Sequence, residues 1–180
     1  MSDNISIISL VVSVVSFAIS LTVSIFVFFS NRKRENYLVL YDQMSQFASE
    51  EIFTATRRLW ELYRGYKDNF VEKYIEIMLA EYNQLNSLPL DKQLEFQRNT
   101  LHYQRKSLTQ FWRNLAIILK NGLLPEKQVY GAWAKGTVEI ITKILLPIEN
   151  KLADYHSVAR FDPKTEPLFY IIERVDKFYQ

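Results

Sequence analysis

The side chains that could do chemistry in this sequence are few, and two histidines come first among them. His102 and His156 are the only imidazoles in the 180 residues, and cysteine is absent. Neither histidine follows a glutamate by three positions, as in the di-iron sites of helical bundles, and neither belongs to the H-E-x-x-H pattern of zinc enzymes. Each is therefore interpreted as an ordinary core or surface side chain.

Paired acidic residues are the other candidates. Glu72 and Glu76 would lie one helical turn apart, where two carboxylates could share a metal ion with a third ligand, but a solvated face balanced by Lys73 is the simpler interpretation. The four glycines are too scattered for a phosphate-binding loop, and no G-x-S-x-G elbow is present. The sequence thus predicts no catalytic residues, no metal site and no cofactor, and it favours a protein that is not an enzyme.

Positive charge collects between residues 98 and 120, where helical spacing would align it on one flank about 100° wide. The members of this cationic flank are Arg98, His102, Arg105, Lys106, Arg113 and Lys120. They could pair with acidic neighbours such as Asp68, Glu72 and Glu76, or face solvent. Anionic lipid headgroups, nucleic acid and an anionic substrate are the other partners considered. A net charge of +2 argues against nucleic acid.

An uncharged N-terminal stretch predicts where the chain resides. Residues 5–29 read ISIISLVVSVVSFAISLTVSIFVFF, and a helix of this length extends about 37 Å, enough to cross a hydrocarbon core of about 30 Å. A cleaved signal peptide fits less well, because no Lys or Arg precedes the stretch and its apolar run is too long. The basic cluster that follows, Arg32, Lys33 and Arg34, predicts a cytoplasmic C-terminal part by the positive-inside rule.

Six serines lie along one edge of this stretch. At about 100° per residue they fall inside an arc of roughly 80°. They are Ser6, Ser9, Ser13, Ser16, Ser20 and Ser24. Small hydroxyl side chains allow spanning helices to approach closely, so this serine seam predicts self-association into a homo-oligomer. Two alternatives stay open: each hydroxyl bonds back to the preceding turn, or several helices turn their seams toward a shared pore.

The remaining sequence predicts an all-α fold, with one N-terminal transmembrane helix followed by a cytoplasmic helical bundle. The first helix continues to about Phe47, and Ser49 caps the second. A fourth helix is predicted from Leu90 to Lys120 with Leu94 in the core. The predicted divisions are an extracytoplasmic terminus at 1–4, the membrane helix at 5–30, a juxtamembrane segment at 31–48 and the bundle at 49–180. The other predicted helices are 50–65, 68–85, a short one after Pro125, 137–156 with a bend at Pro147, and 168–178, with a stop at Asn121-Gly122.

Several residues of the C-terminal part carry a resemblance to a known family. They are Arg57-Arg58 before Leu59, Arg105-Lys106 followed after four residues by Phe111-Trp112, the run Asn121-Gly122-Leu123-Leu124, Trp133 and Pro147. On these residues the chain resembles an uncharacterised bacterial family, in which one N-terminal membrane helix precedes a small all-helical cytoplasmic domain of unknown function. The resemblance implies a bacterial plasma membrane and implies no reaction.

These patterns together predict a single-pass membrane protein that interacts with membrane lipid and with a second copy of itself. Its cytoplasmic domain would present a surface to a protein partner, and the cationic flank is the candidate face for an anionic one. Two alternatives belong to other functional classes. One is a membrane-perturbing effector that forms a leaky oligomer, and the other is a membrane-tethered ligand sensor or enzyme with a site inside the bundle.

Overall fold

All the regular secondary structure in the part of the chain that the structure describes is helical, which confirms the prediction of an all-α bundle. A computed structural model describes the backbone from Ser2 to Tyr179 and the side-chain surroundings of residues 16–179. A 3-10 turn (Lys67–Asn69) precedes the third helix, and a π turn (Ile141–Leu145) precedes the eighth. The α-helices are α1 (Ser2–Phe47), α2 (Glu50–Tyr66), α3 (Phe70–Ser87), α4 (Leu90–Asn99), α5 (Leu101–Lys120), α6 (Glu126–Ala132), α7 (Lys135–Val138), α8 (Leu146–Tyr155) and α9 (Leu168–Phe178).

The chain divides into two compact units, residues 1–39 and 40–180. The sequence predicts that the bundle begins at residue 49, and the structure adds residues 40–47 to it. The reason is Phe47, whose ring packs against Phe111, Trp112 and Trp133 at centroid distances of 5.4, 5.9 and 5.9 Å. Ser49 then caps α2, since its hydroxyl accepts the Ile52 N–H.

The N-terminal unit is the part of α1 that precedes Leu40. The prediction that a single helix continues through Arg34 to about Phe47 is confirmed. In the part of the chain that the structure describes, no helix is both long enough and apolar enough to cross a membrane. Residues 5–15 of the predicted span, with Ser6, Ser9 and Ser13, lie outside the residues whose side chains are described.

The core of the second unit surrounds α5. One face of α5 buries aliphatic and aromatic side chains because they recur at intervals of three, four and seven. The fully buried members include Leu108, Trp112 and Leu115, and α2, α3, α9 and the π turn pack around them. At about 25 cal/mol per Å² of apolar surface removed from water, this shared core is the main source of stability for the unit.

The prediction of one long helix from Leu90 to Lys120 is wrong, because the chain breaks at Thr100. This residue has φ −70° and ψ 147°, which ends α4 and begins α5. Its hydroxyl accepts the Tyr103 N–H at 3.2 Å, and both carboxylate oxygens of Glu81 accept the Leu101 N–H at 3.0 and 2.8 Å. Two N-terminal amides of α5 therefore have acceptors that an unbroken helix would not need. Because α4 leaves the α5 axis, Leu94 is 59% exposed rather than buried.

The first two local signals after α5 are confirmed. Gly122 has φ +66°, and its N–H and that of Leu123 donate to the carbonyls of Leu119 and Ile118, which is a Schellman ending. Helix α6 follows directly after Pro125. The predicted segment 137–156 is divided before Pro147 rather than at it, into α7, the π turn and α8, and the Leu146 N–H donates to Ile141, five residues back. The wide turn adjoins the residue that lacks an N–H donor of its own.

Candidate functional site

Several polar side chains inside the bundle are connected through one buried ion pair. The Arg105 guanidinium, on α5, contacts the Glu149 carboxylate, on α8, and their side chains are only 5% and 11% exposed. The same carboxylate accepts the Thr109 hydroxyl proton at 3.1 Å. A buried charge is tolerated when it is paired and hydrogen-bonded, and Glu149 supplies that partner for Arg105.

The ion pair continues into a chain of hydrogen bonds toward the surface. Arg105 Nε donates to the Tyr74 hydroxyl at 3.3 Å, and that hydroxyl lies 3.3 Å from Nδ1 of His102. Since Tyr74 accepts from Arg105, we assign its own proton to a bond with His102 Nδ1. Neutral His102 then carries its ring proton on Nε2. The chain thus runs from a buried carboxylate to an imidazole at the edge of the bundle.

Burial governs the protonation of this chain. It raises the pKa of Tyr74 to about 12, so the phenol keeps its proton at neutral pH. It also lowers the pKa of His102 to about 4, with help from the positive charges of Arg105 and Lys106 and from nearby His156. His102 is therefore neutral at physiological pH. It can accept a hydrogen bond on one nitrogen and donate one from the other.

The hydrogen-bond chain ends at His102, which lines a cleft of about 420 Å³ between α3, α4, α5 and the end of α8. Its lining combines apolar side chains, several of them from α3, with the two histidines and a lysine. The lining includes Met78, Leu79, Tyr82, Leu85, His102, Lys106, Tyr155 and His156. Both imidazoles of the chain therefore lie in one cleft. The sequence analysis does not predict that the two histidines lie together, because no spacing rule links residues so far apart in the chain.

A larger cleft of about 750 Å³ lies along α5 beside α2 and α8. Lys106 lines this cleft too, but its two arginines are already paired. Arg105 is held by Glu149. Arg113 binds Glu166 through two hydrogen bonds of 2.9 and 2.6 Å, and these bonds raise the pKa of the guanidinium. The smaller cleft is the better candidate site, because it is the one of these two clefts that brings Lys106 together with His102 and His156.

The structure disperses the predicted cationic flank. Arg98 lies on α4, beyond the break at Thr100, while the other members belong to α5. Arg105 is buried and Arg113 is half-buried, and their acidic partners come from α8 and from the residue before Pro167. Those partners are not the predicted Asp68, Glu72 and Glu76. The exposed cations of the flank are Arg98, Lys106 and Lys120.

The predicted acidic pair is engaged with lysines. Glu76 accepts from Lys73 at 2.8 Å, and Glu72 accepts from Lys151 at 3.3 Å. The interpretation as a solvated face balanced by nearby cations agrees with these contacts. Within the described residues, no three His, Asp or Glu side chains come close enough together to hold a metal ion.

The described serines of the seam are exposed along α1. Ser24 donates its hydroxyl proton to the Ser20 carbonyl at 2.8 Å, and Thr22 makes the same bond to Ala18. Back-bonding of this kind is one of the alternatives raised by the sequence, and it satisfies the hydroxyl without a partner helix. Ser16 and Ser20 are exposed as well. The basic cluster Arg32, Lys33 and Arg34 is exposed on the same helix.

Glu149, Glu166 and Tyr74 are the site residues that sequence reasoning missed. One signal was available for Glu149: it follows Pro147 on a helix whose neighbours Ile148 and Leu152 are buried, so an acid there needs a cation. The comparisons with known proteins add no assignment, since no family model, curated protein or solved structure matches the chain.

Proposed function

We propose that this protein is a single-span, membrane-anchored interaction protein with a helical cytoplasmic domain, and that it is not an enzyme. One observation carries the proposal. The apolar side chains of α1 between Phe17 and Phe29 are exposed on all sides of the helix, with exposed fractions from 47% for Val27 to 73% for Phe26. A helix that is apolar around most of its circumference, with a narrow serine seam, is stable in lipid or against a large apolar partner, rather than in water.

The sequence before Phe17 supports a bilayer rather than a protein groove. It continues without a charge back to Ile5, so the uncharged stretch extends across about 37 Å. Arg32, Lys33 and Arg34 follow it directly and suit the anionic inner surface of a bacterial plasma membrane. In this proposal residues 1–4 lie outside, and the unit from Leu40 onward lies in the cytoplasm.

Self-association through the serine seam is the second part of the proposal. In lipid, helices associate through close packing and polar contacts, and each hydroxyl contact contributes about 0.6 kcal/mol on average. The back-bonded Ser24 keeps acceptor capacity on its oxygen, so it can still bond to a neighbouring helix. The exposed Arg98 on α4 and the exposed Lys106 and Lys120 on α5 are the cations left to contact an anionic cytoplasmic partner.

Membrane extraction tests the anchor. The full chain should stay in the membrane pellet after alkaline carbonate treatment. The double variant Phe17→Arg, Leu21→Arg should leave the pellet, since each arginine near the bilayer centre costs about 2.5–3.5 kcal/mol of insertion free energy. The matched control, Phe53→Arg with Leu90→Arg, alters two exposed apolar side chains of the second unit and should stay in the pellet. A wild-type chain found in the carbonate supernatant would contradict the anchor.

Crosslinking in membranes tests the seam separately. Replacing Ser6, Ser13 and Ser20 with leucine should reduce the dimer and higher bands. The control places leucine at Val11, Ala18 and Thr22, which lie on the opposite side of the helix at about 100° per residue. Equal crosslinking of both triple variants and the wild type would remove the seam from the proposal while leaving the anchor intact.

A further inference from the structure

We propose that the cleft between α3, α4, α5 and α8 binds a small monocarboxylate with a compact aromatic body. The carboxylate would lie between Lys106 and His102, and the ring would lie among Met78, Tyr82 and their neighbours. This inference goes beyond the anchoring and self-association proposed above, and it depends on neither.

The cationic wall of the cleft has free donors. Lys106 is exposed, and no carboxylate oxygen of the described residues lies within 4.0 Å of its ammonium group. One turn earlier on the α5 face, His102 holds its proton on Nε2, because Tyr74 occupies Nδ1. The guanidinium of Arg105 polarises that hydroxyl from behind. An ammonium and an imidazole N–H form a two-donor arrangement suited to a carboxylate.

The acidic residue that lines this cleft does not neutralise the positive charge of Lys106. Glu81 lines the cleft, but its two oxygens accept the Leu101 N–H, and Arg58 lies 3.7 Å away on its other side. Glu81 therefore serves the start of α5 and the packing of α2. His102 is neutral, because burial lowers its pKa to about 4. Lys106 is thus the full charge left to be balanced at this wall, and it matches a monoanion better than a phosphate.

The apolar and aromatic part of the lining suits an aromatic ring. Tyr82 and Tyr155 are 60% and 54% exposed, and the Tyr155 ring meets the His156 ring edge-on at a centroid distance of 5.1 Å. Aromatic pairs favour such offset and edge-on geometry, and the thioether of Met78 adds a soft, adaptable contact. The volume of about 420 Å³ lies within the range of roughly 300–1,000 Å³ typical of small-molecule sites.

The test uses 4-phenylbutyrate and the full-length chain in maltoside micelles, with saturation-transfer NMR and empty micelles as the blank. The wild type should transfer saturation to the phenyl protons at millimolar acid. Lys106→Met should weaken binding by roughly ten- to hundredfold, the loss expected for one hydrogen bond to a charged group. 4-Phenylbutanol, which has the same body without the charge, should lose a similar factor.

Two variants separate the cleft from the surface at large. Lys120→Met removes another exposed lysine of α5 and should bind the acid as the wild type does. Leu79→Trp should fill the cleft and abolish binding, and circular dichroism of each variant confirms that the helices are retained. The proposal is overturned if Lys106→Met binds as tightly as the wild type, if the alcohol matches the acid, or if the wild type shows no transfer.

Discussion

Arg105 and Glu149 join α5 to α8 through an ion pair that is almost wholly removed from solvent. The Arg105 guanidinium also donates to the Tyr74 hydroxyl, and the Glu149 carboxylate also accepts from Thr109. The pair is therefore part of a polar network inside an otherwise apolar bundle. Pairs of this kind stabilise little relative to apolar residues, yet the loss of one partner leaves the other charge buried and unpaired. The bundle is therefore sensitive to either residue alone.

A double-mutant cycle measures that sensitivity. Arg105→Met or Glu149→Leu alone should lower the free energy of unfolding by about 3–5 kcal/mol, whereas the double variant should recover most of the loss. Denaturant titration followed by circular dichroism gives all four values. Arg160→Met breaks an exposed pair with Asp154 and should cause no measurable change. Additive losses in the double variant would show that the two charges do not compensate each other.

The break at Thr100 predicts a cap effect. Thr100→Ala removes the acceptor for the Tyr103 N–H and should cost about 1 kcal/mol of stability. Thr100→Ser keeps the hydroxyl and should cost much less. Thermal unfolding of the two variants, run side by side, checks the difference. If alanine and serine behave alike, the hydroxyl does not hold the start of α5.

His102 predicts a pH dependence of stability. Its pKa is about 4 in the folded chain against an ordinary value of 6.5, so between these values the unfolded chain binds the proton more strongly. The contribution of neutral His102 to the free energy of unfolding is fully present above pH 6.5 and is lost as the pH falls toward 4. Lys106, Arg105, His156, Tyr74 and Glu81 are the titratable groups around it.

The expected size of this pH effect follows from the pKa shift of His102. Each unit of pKa difference corresponds to about 1.4 kcal/mol, and because the ring is partly exposed, we expect about 2 kcal/mol across this window. His102→Gln should flatten the pH dependence of the unfolding free energy between pH 6.5 and 4. Lys120→Met alters an exposed cation at the far end of α5 and should leave it as in the wild type. Equal slopes in all three chains would contradict the assignment.

Two glycines should respond to alanine with opposite signs. Gly122 ends α5 with φ +66°, so Gly122→Ala forces a side chain into the left-handed region and should destabilise the chain by about 1 kcal/mol. Gly131 lies within α6, and an added methyl there meets no atom within 4 Å. Gly131→Ala should stabilise by about 0.5–1 kcal/mol. We expect the denaturation midpoint of Gly122→Ala to lie below that of the wild type and the midpoint of Gly131→Ala to lie above it.

The features predictable from sequence are those decided within one or two helical turns. Ser49 caps α2 because its hydroxyl reaches an amide three residues later, and Gly122 ends α5 because it lacks a Cβ. The continuation of α1 through Arg34 belongs to the same class. The break at Thr100 escaped prediction for an opposite reason: apolar spacing runs through it, and part of what caps α5 is the distant carboxylate of Glu81.

The sequence by itself determined most of the helices, several of their ends and the apolar stripe that α5 buries, since propensity, capping and periodicity act between near neighbours. Only the tertiary structure decided that Arg105 meets Glu149, that Arg113 meets Glu166, and that His102 and His156 share one cleft. Helix packing brings these groups together from distant parts of the chain. The physical reason is that a side chain's partner depends on which helix faces meet, and no local spacing encodes that choice.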